Sequence, residues 1–143
     1  MSQRVNPVAW VAWAGAAALL VVTTRNPLYL LLATAALTAV LLSLDRRSVA
    51  QAAWGTVLRV GAVVAAVSVL FNLLTVHTGD RVLAHLPDAI PIVGGPVTLN
   101  ALVYGLVSAL AIFDLLLLAA AFSAAVDRAA LLRLVPGPLA AVG

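Results

Sequence analysis

The sequence predicts an all-α integral membrane protein of about four transmembrane helices. A long extracytoplasmic loop is expected between the third and fourth, and the start of a cytoplasmic amphipathic helix after the fourth. Three observations lead there. Of the 143 residues, 64% are hydrophobic and 9% charged, against roughly 25% charged in an ordinary soluble domain, and the mean hydropathy is +1.16. The apolar residues are gathered into four runs separated by polar breaks. The last run, Leu99 to Val126, carries Leu, Ala and Val on every side and is longer than the ~20 residues needed to cross a bilayer at about 1.5 Å each. A soluble chain of this size has no interior large enough to hide such a helix.

The first run follows Asn6-Pro7 and spans about Val8 to Val22. It is short for a span, so a cleavable signal peptide is the rival reading. Thr-Thr-Arg-Asn-Pro stands where a small-x-small cleavage site would be, and a second apolar run comes at once. We therefore read an uncleaved span, with Trp10 and Trp13 near one end as interfacial aromatics. The second span covers about Pro27 to Leu44, Pro27 suiting a first helical turn, and Asp45-Arg46-Arg47-Ser48 ends it. The third runs from about Ala52 to Val76, with Trp54 near its start and Arg59 a little inside. His77 to Thr98 is the one long connection and holds three prolines and a Gly-Gly pair. A short amphipathic or re-entrant piece over Arg81–Leu86, then extended chain, is expected there. Gly94-Gly95-Pro96 forms the turn into the fourth span, glycine reaching backbone angles closed to bulkier residues and Pro96 fixing the approach. Residues 1–126 thus read as one four-helix membrane domain with spans at about 8–22, 27–44, 52–76 and 99–126. Residues 127–143 read as the start of a cytoplasmic region. Asp127-Arg128 marks the exit, and Ala129 to Pro136 spaces its apolar residues as a surface-lying amphipathic helix that Pro136-Gly137-Pro138 ends.

Every base is Arg and every acid is Asp. Without Lys, a phosphate-binding loop of the G-x-x-x-x-G-K type cannot form, so any ATP used with this protein is bound by a partner. Without Cys, disulfides and thiolate metal sites are excluded. The net charge of +3 comes from arginines placed singly or in one pair beside the apolar runs, a pattern of membrane topology and not of nucleic-acid binding. With the N-terminus inside, Arg4, Arg46, Arg47, Arg128 and Arg133 face the cytoplasm and Arg59 lies near that face, while Arg25 and Arg81 lie outside. The positive-inside rule thus selects a multi-pass protein of the cytoplasmic membrane with both termini cytoplasmic. Small residues recur every four positions at Ala101, Gly105 and Ala109, and at Gly61 and Ala65. They allow close backbone approach, and packing within one bundle is the preferred explanation over a partner-docking face.

Few residues carry chemistry. Asp114 stands near the middle of the fourth span, where a carboxylate costs about 2.5–3.5 kcal/mol on insertion scales. An interhelical contact is preferred there over a proton or cation relay, since no second acid or His accompanies it. Arg59 is a possible partner, although snorkelling to the cytoplasmic interface suits it better. Asn72 invites an interhelical hydrogen bond. His77-Thr78-Gly79-Asp80 and His85-Leu86-Pro87-Asp88 repeat a His-x-x-Asp spacing that a transition metal can use, but solvated loop residues are the preferred reading. No nucleophile–base–acid set exists, so we expect no enzyme and assign no catalytic, cofactor-binding or metal residues and no cofactor.

The segment Gly94-Gly95-Pro96-Val97-Thr98-Leu99-Asn100-Ala101-Leu102-Val103-Tyr104-Gly105-Leu106, the long apolar helix and the exit after it resemble the transmembrane T component of energy-coupling factor (ECF) transporters, which includes the membrane subunit of cobalt and nickel permeases. Members show a Gly-Gly-x-x-Thr turn before a helix with Tyr-Gly-Leu, matched by Gly94, Gly95, Thr98, Tyr104, Gly105 and Leu106. They show Leu-Leu-Arg-x-x-Pro at the cytoplasmic exit, matched by Leu131, Leu132, Arg133 and Pro136, and the Asn26-Pro27 helix start agrees. The resemblance covers about Asn26 to Gly143. It implies a scaffold subunit of an ATP-driven importer of vitamins or transition-metal ions. Its partners would be two ABC-type ATPase subunits, a substrate-binding S-type membrane subunit and the lipid bilayer. Members run on into coupling helices with Ala-Arg-Gly or similar motifs and a last membrane helix. No such triplet occurs here and the chain stops at Gly143, so a truncated product, a fragment or half of a split subunit is expected, and no coupling residue is carried over. The alternative is a small structural or assembly membrane protein packing against helices of a larger complex; a cation or proton channel using Asp114 is a third reading.

Overall fold

A computed structural model describes residues 7–44, 47–87, 89 and 93–126, with 47–53 described through their backbone. The described chain is mostly helical: α1 Pro7–Thr23, α2 Pro27–Ser43, α3 Arg47–Thr75 and α4 Leu99–Ala125, with strands β1 Val82–Leu86 and β2 Gly95–Thr98 between α3 and α4. Two helical stretches, Trp54–Thr75 and Leu99–Ala125, are long and apolar enough to cross a membrane, while α1 and α2 are shorter apolar helices of 17 residues each.

Local chemistry sets the helix ends. Asn26 caps α2, its side-chain oxygen accepting from the Leu28 amide at 2.9 Å, and Pro27 occupies the first turn, where its missing N–H costs nothing. Thr23 closes α1 by donating its hydroxyl to the Leu19 carbonyl at 2.7 Å. Thr98 caps α4, accepting from the Ala101 amide at 3.2 Å. The α3 helix begins at Arg47, earlier than the expected Ala52. Arg, Ser and Gln end an apolar run without ending a helix, so hydropathy marks the span and not the helix start.

The α4 helix is the hub. It packs most extensively against α3, then α2, then α1, while α1 with α2 and α2 with α3 touch only slightly. Two apolar clusters line it. One gathers Leu37, Leu41, Val57, Leu117, Leu118, Ala121 and Ala124, bordered by Trp13 and Trp54. The other gathers Val21, Leu30, Val107 and Ala111. The starts of α1 and α3 therefore share one end of the bundle with the close of α2 and α4, which is an up-down arrangement. Trp10, Trp13 and Trp54 stand at that end, Trp10 and Trp13 in an edge-to-face pair with centroids 5.2 Å apart. Tyr29 and Tyr104, both exposed, stand toward the other.

The connection after α3 differs from expectation. In place of the expected short amphipathic or re-entrant piece over Arg81–Leu86, Val82–Leu86 is a strand paired antiparallel with Gly95–Thr98, with an irregularity between Val82 and Ala84. The strand β2 is tucked inward and β1 is exposed. The small residues serve the α3–α4 interface. A Cβ on Gly105 would stand 2.7 Å from the Val69 Cα, and one on Gly61 would stand 2.6 Å from the Phe113 ring. The expected cytoplasmic segment 127–143, with Leu131, Leu132, Arg133, Pro136 and its amphipathic helix, lies outside the described residues, as do Arg4, Arg46 and Asp88.

Candidate functional site

Asp114 is fully buried in α4, and it is one of two buried polar residues among those described, the other being Thr98. It falls in the buried stripe of α4 between Ala111 and Leu117, hence between the two apolar clusters. Its partner is Thr34 of α2, whose hydroxyl lies 2.5 Å from Asp114 Oδ1. Arg59, a possible partner by charge, does not pair with Asp114. Arg59 is exposed on α3 and bonds no other described residue. The same Thr34 hydroxyl lies 3.0 Å from the Leu30 carbonyl one turn back, and it has a single hydrogen for two acceptors. Asp114 Oδ2 is buried with no hydrogen-bond partner among the described residues.

Magnitudes decide what this pair does. Were both helices within a bilayer, an interhelical hydrogen bond averaging about 0.6 kcal/mol would not offset the insertion cost of an acid at about 2.5–3.5 kcal/mol. The contact therefore fastens α2 to α4 without making the acid favourable. A relay needs a second proton-bearing group within reach, and none lies within hydrogen-bond distance of Oδ2 among the described residues. The sequence signalled the acid, alone in its apolar run, but not its partner: α2 offers Thr34 and Thr38 alike at mid-helix.

A second constellation lies where the hairpin enters α4. The buried Thr98 hydroxyl donates to the Thr78 carbonyl at 2.8 Å while accepting from the Ala101 amide, so one side chain ties the loop to the helix start. The Leu99 amide donates to the Arg81 carbonyl at 2.9 Å. Gly95 has φ +130°, a conformation that L side chains rarely adopt, so the Gly-Gly pair is required by the backbone at its second member. Gly79 has φ +136° and presses on Asn100. His77 is half-buried with Nδ1 3.3 Å from the Pro96 carbonyl, so it is a packed part of the turn and not a freely solvated loop residue. His85 is exposed on β1. No group of three or more metal-ligating side chains comes together among the described residues. Asn72 does not reach across to another helix by a hydrogen bond; its side-chain amide donates to the Ser68 carbonyl within α3 at 2.9 Å. The interhelical bond at that level is instead made by Ser68, whose hydroxyl donates to the Gly105 carbonyl at 3.2 Å.

The cleft between α1 and α2 has a volume of about 410 Å³ and is lined by Ala9, Trp10, Trp13, Val40, Ser43 and Leu44. Its one side-chain hydroxyl, on Ser43, is already donated to the Val40 carbonyl. This is an apolar notch without reactive groups. No family model, curated protein or solved structure matches the chain.

Proposed function

We propose that the protein is a membrane scaffold subunit of an ATP-driven, ECF-type importer of vitamins or metal ions, joining ABC-type ATPases to a separate substrate-binding membrane subunit. The observation that carries the reading is the segment Gly94–Leu106. Three of the residues on which the resemblance rests have a specific structural need: Gly95 for its positive φ, Thr98 for the cap and loop tie, and Gly105 for the close helix crossing. A turn built so tightly onto the hub helix suits a part that passes movement between subunits.

The membrane half of the proposal is supported by exposure. The apolar window of α3 is only 11% buried, whereas a core helix of a water-soluble protein is mostly enclosed. We read all four helices as spans, with both termini cytoplasmic. Tryptophans at one end and tyrosines at the other support this as two interfacial belts, and 17 apolar residues lie at the short limit for crossing. The second reading, an assembly protein seated against helices of a larger complex, is favoured by the same uncovered α3 face. Affinity purification of the tagged chain from native membranes separates the two. Co-purification with two ABC-type ATPase subunits and a small substrate-binding membrane protein is the expected result, and a helical complex free of ATPases would transfer the assignment to the second reading.

A further inference from the structure

We propose that α3 carries, on the face turned away from α4, a seat for one anionic phospholipid, with Arg59 holding the headgroup phosphate and the ridge Val63–Val67–Phe71 carrying an acyl chain. The inference rests on the reading that α3 crosses the bilayer. The helix uses Val57, Gly61 and Ser68 toward α4. Around the other side, residues at steps of four (Gly55, Arg59, Val63, Val67 and Phe71) form one of the slanting ridges of a helix surface. Val63, Val67 and Phe71 are 64%, 61% and 64% exposed. At the head of this ridge Arg59 is exposed and bonds no other described residue.

Side chains on a helix lean toward its N-terminus, which aims Arg59 over the turn of Gly55. That turn is open, since a Cβ on Gly55 would meet nothing within 4 Å. The room lies where a headgroup would sit, at the Trp54 end of the apolar stretch Trp54–Thr75. From Arg59 to Phe71 the axis rises about 18 Å, close to one leaflet of a hydrocarbon core about 30 Å thick. A guanidinium forks onto phosphate oxygens with two parallel hydrogen bonds, so an exposed cation that bonds no other described residue, at the rim of an apolar rail, is complementary to a phospholipid. A partner helix suits the ridge less well. Close helix packing in membranes uses small residues, and here the ridge is branched and aromatic while Gly61 is filled by Phe113.

The test is native mass spectrometry of the full chain released from nanodiscs holding equal phosphatidylglycerol and phosphatidylcholine. The wild type should retain one phosphatidylglycerol, enriched about fivefold over phosphatidylcholine. Arg59→Gln should lower that enrichment severalfold, while Arg25→Gln, at the other end of the bundle, should leave it in place. Soluble glycerol phosphate should not displace the lipid; displacement would mean that a free anion suffices and would overturn the lipid seat. Unchanged enrichment in Arg59→Gln, or a dimer that the substitution dissolves, would overturn it equally. Flotation with vesicles, run in parallel, distinguishes the two levels of failure: a chain that floats but shows lipid parity refutes the seat alone, and one that does not float refutes the membrane reading with it.

Discussion

Asp114 and Thr34 fasten two helices through one short contact, and the worth of that contact can be measured apart from the cost of burying an acid. In a double-mutant cycle with Thr34→Val and Asp114→Asn, equilibrium unfolding in detergent micelles should give a coupling of about 0.6 kcal/mol, and at most about 1.7. A coupling indistinguishable from zero would mean that the hydroxyl serves the Leu30 carbonyl alone. The same Asp114→Asn protein decides the channel reading, because uptake that survives the loss of the carboxyl leaves a relay with no carrier. The acid was conspicuous in the sequence as the single charge inside its apolar run, but its partner was not. Opposite charge made Arg59 a possible partner, second to snorkelling; the fold leaves Arg59 exposed and brings a neutral hydroxyl from α2 to the carboxyl. Which helix faces which is settled by packing between residues 80 positions apart, and no local pattern encodes that.

At the scale of elements, the α3–α4 crossing is the most extensive contact in the bundle, and its two glycines are not equivalent. A Cβ at Gly105 meets backbone, the Val69 Cα at 2.7 Å, while one at Gly61 meets only the Phe113 ring. A ring can turn aside, but a backbone can yield only if the helices separate. Gly105→Ala should therefore destabilise the fold by about 1–3 kcal/mol, as overpacking does, and Gly61→Ala by clearly less, both read from thermal unfolding in the same detergent. Equal costs would show that the helices part as easily as the ring turns. The four helices were legible because long apolar runs leave few alternatives, and their ends fell close to the expected positions wherever a cap or proline marked them, as at Asn26-Pro27 and Thr98. The hairpin was not legible. Val82-Leu83-Ala84-His85-Leu86 is too short for periodicity to separate strand from helix, and its partner strand hides among Gly95 and Pro96, residues that ordinarily argue against a strand. Only the pairing itself, closed by the Thr98–Thr78 tie, selects the extended form.

For the whole molecule, the proposed topology of four spans with both termini cytoplasmic makes a prediction that this chain is well suited to test, because it has no native cysteine. Asp80→Cys, in the connection after α3, should react in intact cells with a maleimide that cannot cross the membrane. Ser43→Cys, at the close of α2, should react only after permeabilisation. The reverse pattern would invert the protein and with it the side on which ATPases are sought. A feature of the bundle also bears on how it is made. The hub helix is the last of the four to be synthesised, and the three before it scarcely touch one another. If all four helices span the membrane as proposed, each can enter the bilayer as it emerges from the ribosome, but it finds no neighbour to hold. Val21, Leu30 and Val57, all buried in the finished fold, would rest against lipid tails until α4 arrives. On that reading insertion and folding are separated in time, the nascent chain lodging as loose helices that a single late arrival gathers together.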